Sequence, residues 1–247
     1  AYHAIHASMQ PVIHKFIQNA HFKDLYLIGK DSGRILYSVE KGIDFGASLN
    51  SDSLKSSALA KAYALGKTLK QDETAFVDFS SYLPSGAEPV GFMTTPVVFD
   101  GKPIGILVVK MGTEQLNAIM TDRSGMGESG DTYIVGIDNL MRTDSIKDAQ
   151  HHVQQSFLMP ADGQAKHDAV QQALKGKTGV ELMPSFNQAD VLSAYTPLEI
   201  KGTKWALIAE LDQSEAFASS SQLLQQAMII VIISLLLIVL IAFLIAK

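Results

Sequence analysis

The chain has no cysteine among its 247 residues. Thiolate metal sites, structural disulfides and cysteine nucleophiles are therefore excluded. Positive charge is also short: 20 Lys and Arg face 25 Asp and Glu, for a net charge of −5. No basic stripe with interleaved aromatics is present, so nucleic acid is not an expected partner. Catalytic signatures are missing too. There is no GxSxG elbow, no HExxH and no EF-hand loop. One GxGxxG occurs at 125–130, but it precedes a strand where a dinucleotide fingerprint would follow one, so it reads as a linker. Gly66-Lys67-Thr68 and Gly176-Lys177-Thr178 lack the earlier glycines of a phosphate loop and read as helix ends. His3, His6, His14 and His21 spread over several helical turns, too far apart to converge on a metal. No enzyme, metal or cofactor is expected.

What the chain does have begins at its far end. Residues 227–246 carry no charge and one hydroxyl, Ser234. A helix of that length rises about 30 Å, the thickness of a bilayer's hydrocarbon core. Apolar side chains on every face predict a transmembrane helix, because a soluble helix keeps a polar stripe. Just upstream, Asp212-Gln213-Ser214-Glu215 fits a capping box that opens a helix over 213–226. The first residue falls inside a helical pattern, and a single Lys follows the apolar run. The sequence reads as part of a longer protein, with that Lys favouring a cytoplasmic end.

Residues 1–23 predict a long helix. Tyr2, Ile5, Met9, Val12 and Phe16 recur at 3-4-3-4 spacing, a seam suited to helix pairing or to packing on its own domain. Strand-like runs follow at 24–29 and 34–39, a helix at 53–65, and strands at 74–79, 89–99 and 103–111. That order is PAS-like: a five-stranded antiparallel sheet with helices on one side. A helix at 113–120 leaves it. The pattern then starts again, with strands at 131–136, 140–143, 179–183, 190–198 and 203–211 and a helix at 164–174. The two halves match as an internal repeat. Asp24, Tyr26, Gly29 and Asp31 correspond to Asp131, Tyr133, Gly136 and Asp138 at an offset of 107, and Pro96 and Gly101 to Pro197 and Gly202 at 101. The expected fold is α+β: an N-terminal helix (1–23), a membrane-distal module (24–121), a membrane-proximal module (122–212), a signalling helix (213–226) and a transmembrane helix (227–246).

A PAS-like pocket lies between the sheet and the elements covering it. The first module's candidates are Tyr37, Asp78, Tyr82, Phe92 and Thr94. Phe92 and Thr94 share a strand face by period 2. Asp78, beside two Phe, needs solvent, a partner or a cationic ligand. The second module's candidates are Tyr133, Arg142 and Asp144. The last two can read a carboxylate or pair with neighbours, and the structural role is favoured. Strand aromatics more often fill a core than meet a ligand.

These stretches resemble the double Cache sensing regions of bacterial chemoreceptors, sensor histidine kinases and nucleotide cyclases. The resemblance rests on residues 22–39 with Lys41, Asp44, Phe45 and Gly46, then Asp78 and Tyr82-Leu83-Pro84-Ser85. It continues through Pro96-Val97, Gly101 and Gly105, through 119–145 (the long central match), and through 194–217. It implies a periplasmic sensor in the bacterial inner membrane. Such sensors are normally homodimers that bind a small molecule, with a first span upstream and an output domain downstream. Some read a periplasmic protein instead. The Arg-x-Trp-Tyr run of the amino-acid-binding members is absent, since the sole Trp is Trp205. The resemblance therefore names no ligand.

Overall fold

The computed structural model describes residues 2–218 and 225–235. Helix α1 (Tyr2–Asn19) precedes β1 (Asp24–Gly29), β2 (Ile35–Ser38), α2 (Ala58–Gly66), β3 (Ala75–Tyr82), β4 (Glu88–Phe99) and β5 (Lys102–Met111). Helix α3 (Glu114–Met120) leads to β6 (Asp131–Gly136) and three short helices, α4 (Val153–Leu158), α5 (Pro160–Gly163) and α6 (Asp168–Leu174). Strands β7 (Gly179–Pro184), β8 (Asp190–Ile200) and β9 (Thr203–Asp212) and helix α7 (Gln213–Ala216) follow. The strands make two antiparallel sheets, ordered β2-β1-β5-β4-β3 and β6-β9-β8-β7.

Alternation along the strands feeds separate cores on the two faces of each sheet. In the first sheet Tyr26, Ile28, Phe92, Ile106 and Val108 pack under α2. Leu25, Tyr37, Val39 and Val109 pack on the opposite face with Ile17 of α1. In the second sheet Tyr133, Val135, Tyr195, Ala206 and Ile208 meet Ala169, Val170 and Ala173 of α6. A fourth core lies between the two sheets. It joins Phe76 and Phe79 of β3 to Ile134 of β6 and Trp205 of β9, with Leu116 and Met120 of α3 packed against it.

The two halves share local devices as well as strand order. Asp100-Gly101 and Lys201-Gly202 both hold two successive positive φ angles, the signature of a type I′ hairpin turn. Asp24 accepts from Ser38 Oγ at 2.9 Å and from the Val39 amide at 3.0 Å. Asp131 accepts from Ser145 Oγ at 2.5 Å and from the Ile146 amide at 3.2 Å. Each aspartate thus clasps the chain fourteen residues on. The offset of 101 at the second turn becomes 100 farther along. Strand β5 carries an irregularity opposite Val97 and Val98 that accommodates the extra residue Ile104, so Asp24 pairs with Lys110 where Asp131 pairs with Glu210.

Several expectations are corrected. The strand at 140–143 is reduced to a single bridge, Val135 to Met141, so the second sheet has four strands. Arg142 leaves the strand path to cross toward the first sheet. The helix expected from 53 starts at Ala58, capped by Ser57 Oγ on the Ala60 amide. The helix expected from 164 starts at Asp168. Gly66 sits inside α2, and its smallness has a packing reason. A Cβ there would stand 2.5 Å from Thr94 Oγ1 and collide with Ile106. The capping box at 212–215 does not form, because no side chain caps α7. The apolar run at 227–246 lies largely outside the described residues. Residues 225–235 are helical, with Met228, Ile230 and Leu235 exposed. Among the described residues no helix is long and apolar enough to cross a membrane.

Candidate functional site

In the first module the structure gathers three of the five candidates under α2. Tyr82, Phe92 and Thr94 all have buried side chains. The rings of Tyr82 and Phe92 meet edge-on at 5.3 Å. Tyr82 donates its hydroxyl to Asp44 at 2.7 Å. Burial, then Asp44 beside it, pushes the Tyr82 hydroxyl far above its ordinary pKa, so it stays a donor. Thr94 Oγ1 is buried with no hydrogen-bond partner. Asp44, on the loop between β2 and α2, is a buried carboxylate that pocket reasoning passed over. Its only trace was its place in the stretch carrying the family resemblance.

The other two candidates lie elsewhere. Tyr37 alternates to the opposite face and donates to Gln10 Oε1 of α1 at 2.5 Å. Asp78 is turned out of the first module by a bulge: Val77 pairs with Phe92 and Ser80 with Val90, so Asp78 and Phe79 together oppose Gly91. A bulge of this kind re-aims a side chain. Asp78 consequently meets Arg142 of the second module, accepting from Nε at 2.9 Å and Nη2 at 2.8 Å. Trp205 Nε1 donates to the same carboxylate at 3.1 Å. The Arg142 side chain is 1% exposed. Burial opposes its charge, but hydrogen bonds and charge from Asp78 and Asp138 outweigh that and raise its pKa. Gly136 lets the guanidinium pass, since a Cβ there would stand 2.6 Å from Nη1. Phe76 and Phe79 close the pair off by packing on the Trp205 ring at 5.9 and 6.1 Å. Asp78, Arg142 and Trp205 therefore form a buried clamp between modules.

Asp144 also ties elements together. It accepts from Asn117 Nδ2 of α3 at 2.9 Å and from the Val153 amide at 2.7 Å. Tyr133 enters a polar cluster under α6. Its hydroxyl lies 3.0 Å from His167 Nε2, which stands 3.2 Å from Glu210 Oε1. Ser185 Oγ donates to Glu210 Oε2 at 2.5 Å. Burial pushes the Glu210 pKa up, but His167, Ser185 and Tyr133 around the carboxylate outweigh it and hold it low. His167, Ser185 and Glu210 carried no motif, because only folding brings them together.

The glycine-rich stretch at 125–130 holds the start of α7. Glu215 accepts from the Glu128 and Ser129 amides, both at 2.8 Å, and from Ser129 Oγ at 2.5 Å. These bonds lower the Glu215 pKa. A cleft of about 400 Å³ opens beside this contact, lined by Met126, Val180, Leu192, Ala194 and Leu211.

No protein-family model matches the chain, and no curated protein matches it in sequence. Solved structures do match. The extracellular domain of a protein described as a histidine kinase is 12% identical, with a TM-score of 0.57 over 85% of this chain and 75% of that one. A domain of a sensory box/GGDEF family protein from Vibrio parahaemolyticus is 12% identical, with a TM-score of 0.56 over 84% of this chain and 78% of that one. The ligand-binding domain of the Pseudomonas aeruginosa amino acid chemoreceptor PctB, solved with L-Arg, is 17% identical, with a TM-score of 0.51 over 81% and 75%. The chain shares the fold of these three domains, which come from a chemoreceptor, a kinase and a GGDEF protein.

Proposed function

We propose that this chain is the extracytoplasmic sensing region of a bacterial transmembrane receptor, anchored in the inner membrane by residues 227–246. A small molecule binds in the first, membrane-distal module, between the sheet and α2. The observation that carries this reading is Thr94 Oγ1, a buried hydroxyl without a partner. It lies on the same face as Tyr82 and Phe92. Leaving such a group unmet costs about 1–3 kcal/mol, which a ligand can recover. Asp44 and Tyr82 supply an acceptor and a donor on the facing loop and strand. Phe92 supplies an apolar wall.

Side chains already fill this interior, so binding requires α2 and the loop at 39–57 to move. That movement gives the ligand its differential affinity for two states. The Asp78–Arg142 clamp carries the difference into the second module, and the helix at 213–226 carries it to the membrane. The chain acts as a homodimer, supported by the exposed seam of α1.

Calorimetric titration of the full chain in detergent with a panel of small metabolites tests the reading. At least one compound is expected to bind, with affinity reduced roughly tenfold or more by Asp44→Asn or Tyr82→Phe. If no compound binds, or if these variants bind as well as the parent, the distal site is wrong. In the first case a periplasmic protein becomes the better candidate stimulus.

A further inference from the structure

The interior of the second module repeats the polar frame of the first with one charge reversed. In the first module Lys110 lies between Asp24 on β1 and Phe92 on β4. Its ammonium stands 4.0 Å from Asp24 Oδ2, 3.1 Å from Ser85 Oγ and 5.9 Å from the Tyr26 ring centre. In the second module the corresponding positions are Glu210, flanked by Asp131 on β6 and Ser193 on β8. Tyr133 stands for Tyr26 and Ser185 for Ser85, each serine twenty-five residues before its partner.

The exchange leaves a buried row with two carboxylates and no lysine. Glu210, Asp131 and Ser193 are all buried, and directly opposed strand residues share a face. Glu210 Oε1, Ser193 Oγ and His167 Nδ1 are buried without a hydrogen-bond partner. Glu210 Oε1 lies within ion-pair distance of His167 Nε2 but outside hydrogen-bonding geometry. With the imidazole proton on Nε2, facing Tyr133 and Glu210, Nδ1 is a bare acceptor. Glu210 Oε1 and Nδ1 can then only accept, and the Ser193 hydroxyl can accept as well. A hydroxymethyl stands at Ser193 where the first module has the ring of Phe92, and Ala206 stands where it has Ile106. Phe186, on the β7–β8 loop, covers the cluster. It stacks on His151 at 4.0 Å and meets Tyr133 at 5.7 Å.

We propose that the second module is a separate binding site for a small primary alkylammonium ion, whose charged head takes the place that the Lys110 ammonium holds in the first module. The three groups left without a partner, Glu210 Oε1, Ser193 Oγ and His167 Nδ1, can each accept from an ammonium, two carboxylates stand in the row, and Phe186 and Tyr133 give an aromatic wall that attracts a cation. The site is independent of whatever the first module binds.

The probe is n-butylammonium chloride, the free form of a lysine side chain, added to the full chain in detergent. Sodium chloride at equal ionic strength is the control. The melting temperature is expected to rise with n-butylammonium and to saturate. Glu210→Gln should weaken the effect at least about tenfold. Glu210→Lys should fold, melt higher than the parent without ligand, and no longer respond. Thr94→Val, in the first module, should leave the response unchanged. The proposal is overturned if n-butylammonium does no more than sodium, or if Glu210→Gln, shown folded by circular dichroism, responds like the parent. A response lost in Thr94→Val instead would place the amine in the first module and equally overturn it.

Discussion

Asp78, a carboxylate beside Phe76 and Phe79, needs solvent, a partner or a cationic ligand, and the structure supplies a partner, Arg142, from sixty-four residues away. The misplacement arose from the bulge opposite Gly91, which period-2 reasoning does not register. Removing one member of a buried pair strands the other charge, at a cost of about 3–5 kcal/mol. The Asp78 side chain is 22% exposed, so Asp78→Asn should sit near the lower end of that range. Arg142→Met should cost a similar amount alone. The Asp78→Asn/Arg142→Met double variant should recover part of the sum, because neither charge is then left alone. Denaturant unfolding followed by the fluorescence of Trp205, which touches the pair, measures all three. Strictly additive losses would show that the two residues do not act as a clamp.

Element by element, the strands were the most readable part. Their apolar runs are bounded by turn residues, and Asp100-Gly101 sits at a hairpin tip as its chemistry requires. The helices within 149–163 escaped notice because they are a few residues long and show no period. Helix α1 carries two apolar faces. Ile13 and Ile17 pack into the first module, whereas Met9, Val12 and Phe16 stay exposed, Val12 at 70%. Such a stripe on one helix is suited to a second copy of the same helix. Val12→Asp is expected to shift the chain from dimer to monomer in sedimentation while leaving its melting temperature within about 1 °C. A parent that sediments as a monomer would remove the role assigned to this face.

Across the whole molecule, two contacts tie the first module and the linker to the rest of the chain. One is the clamp. The other is the linker at 121–130, which leaves α3 and grips Glu215 at the head of α7. Sequence reasoning saw the linker and the helix start but not their contact, since eighty-six residues separate Ser129 from Glu215. Glu215→Gln removes the charge that two amides and a hydroxyl surround. Faster hydrogen exchange is expected at the Glu128 and Ser129 amides, with the β9 amides from Trp205 to Glu210 unchanged. Unchanged exchange at residues 128 and 129 would mean that the contact carries no load. The paired aspartate clasps bear on a different question. Asp24 with Ser38 and Asp131 with Ser145 staple each opening hairpin at its own root. The position that differs most between the two interiors, Lys110 in one and Glu210 in the other, lies beside each staple on the neighbouring strand. The clasp on the hairpin is the same in both although the charge next to it is reversed, so the root of each hairpin tolerates a change in what the interior holds.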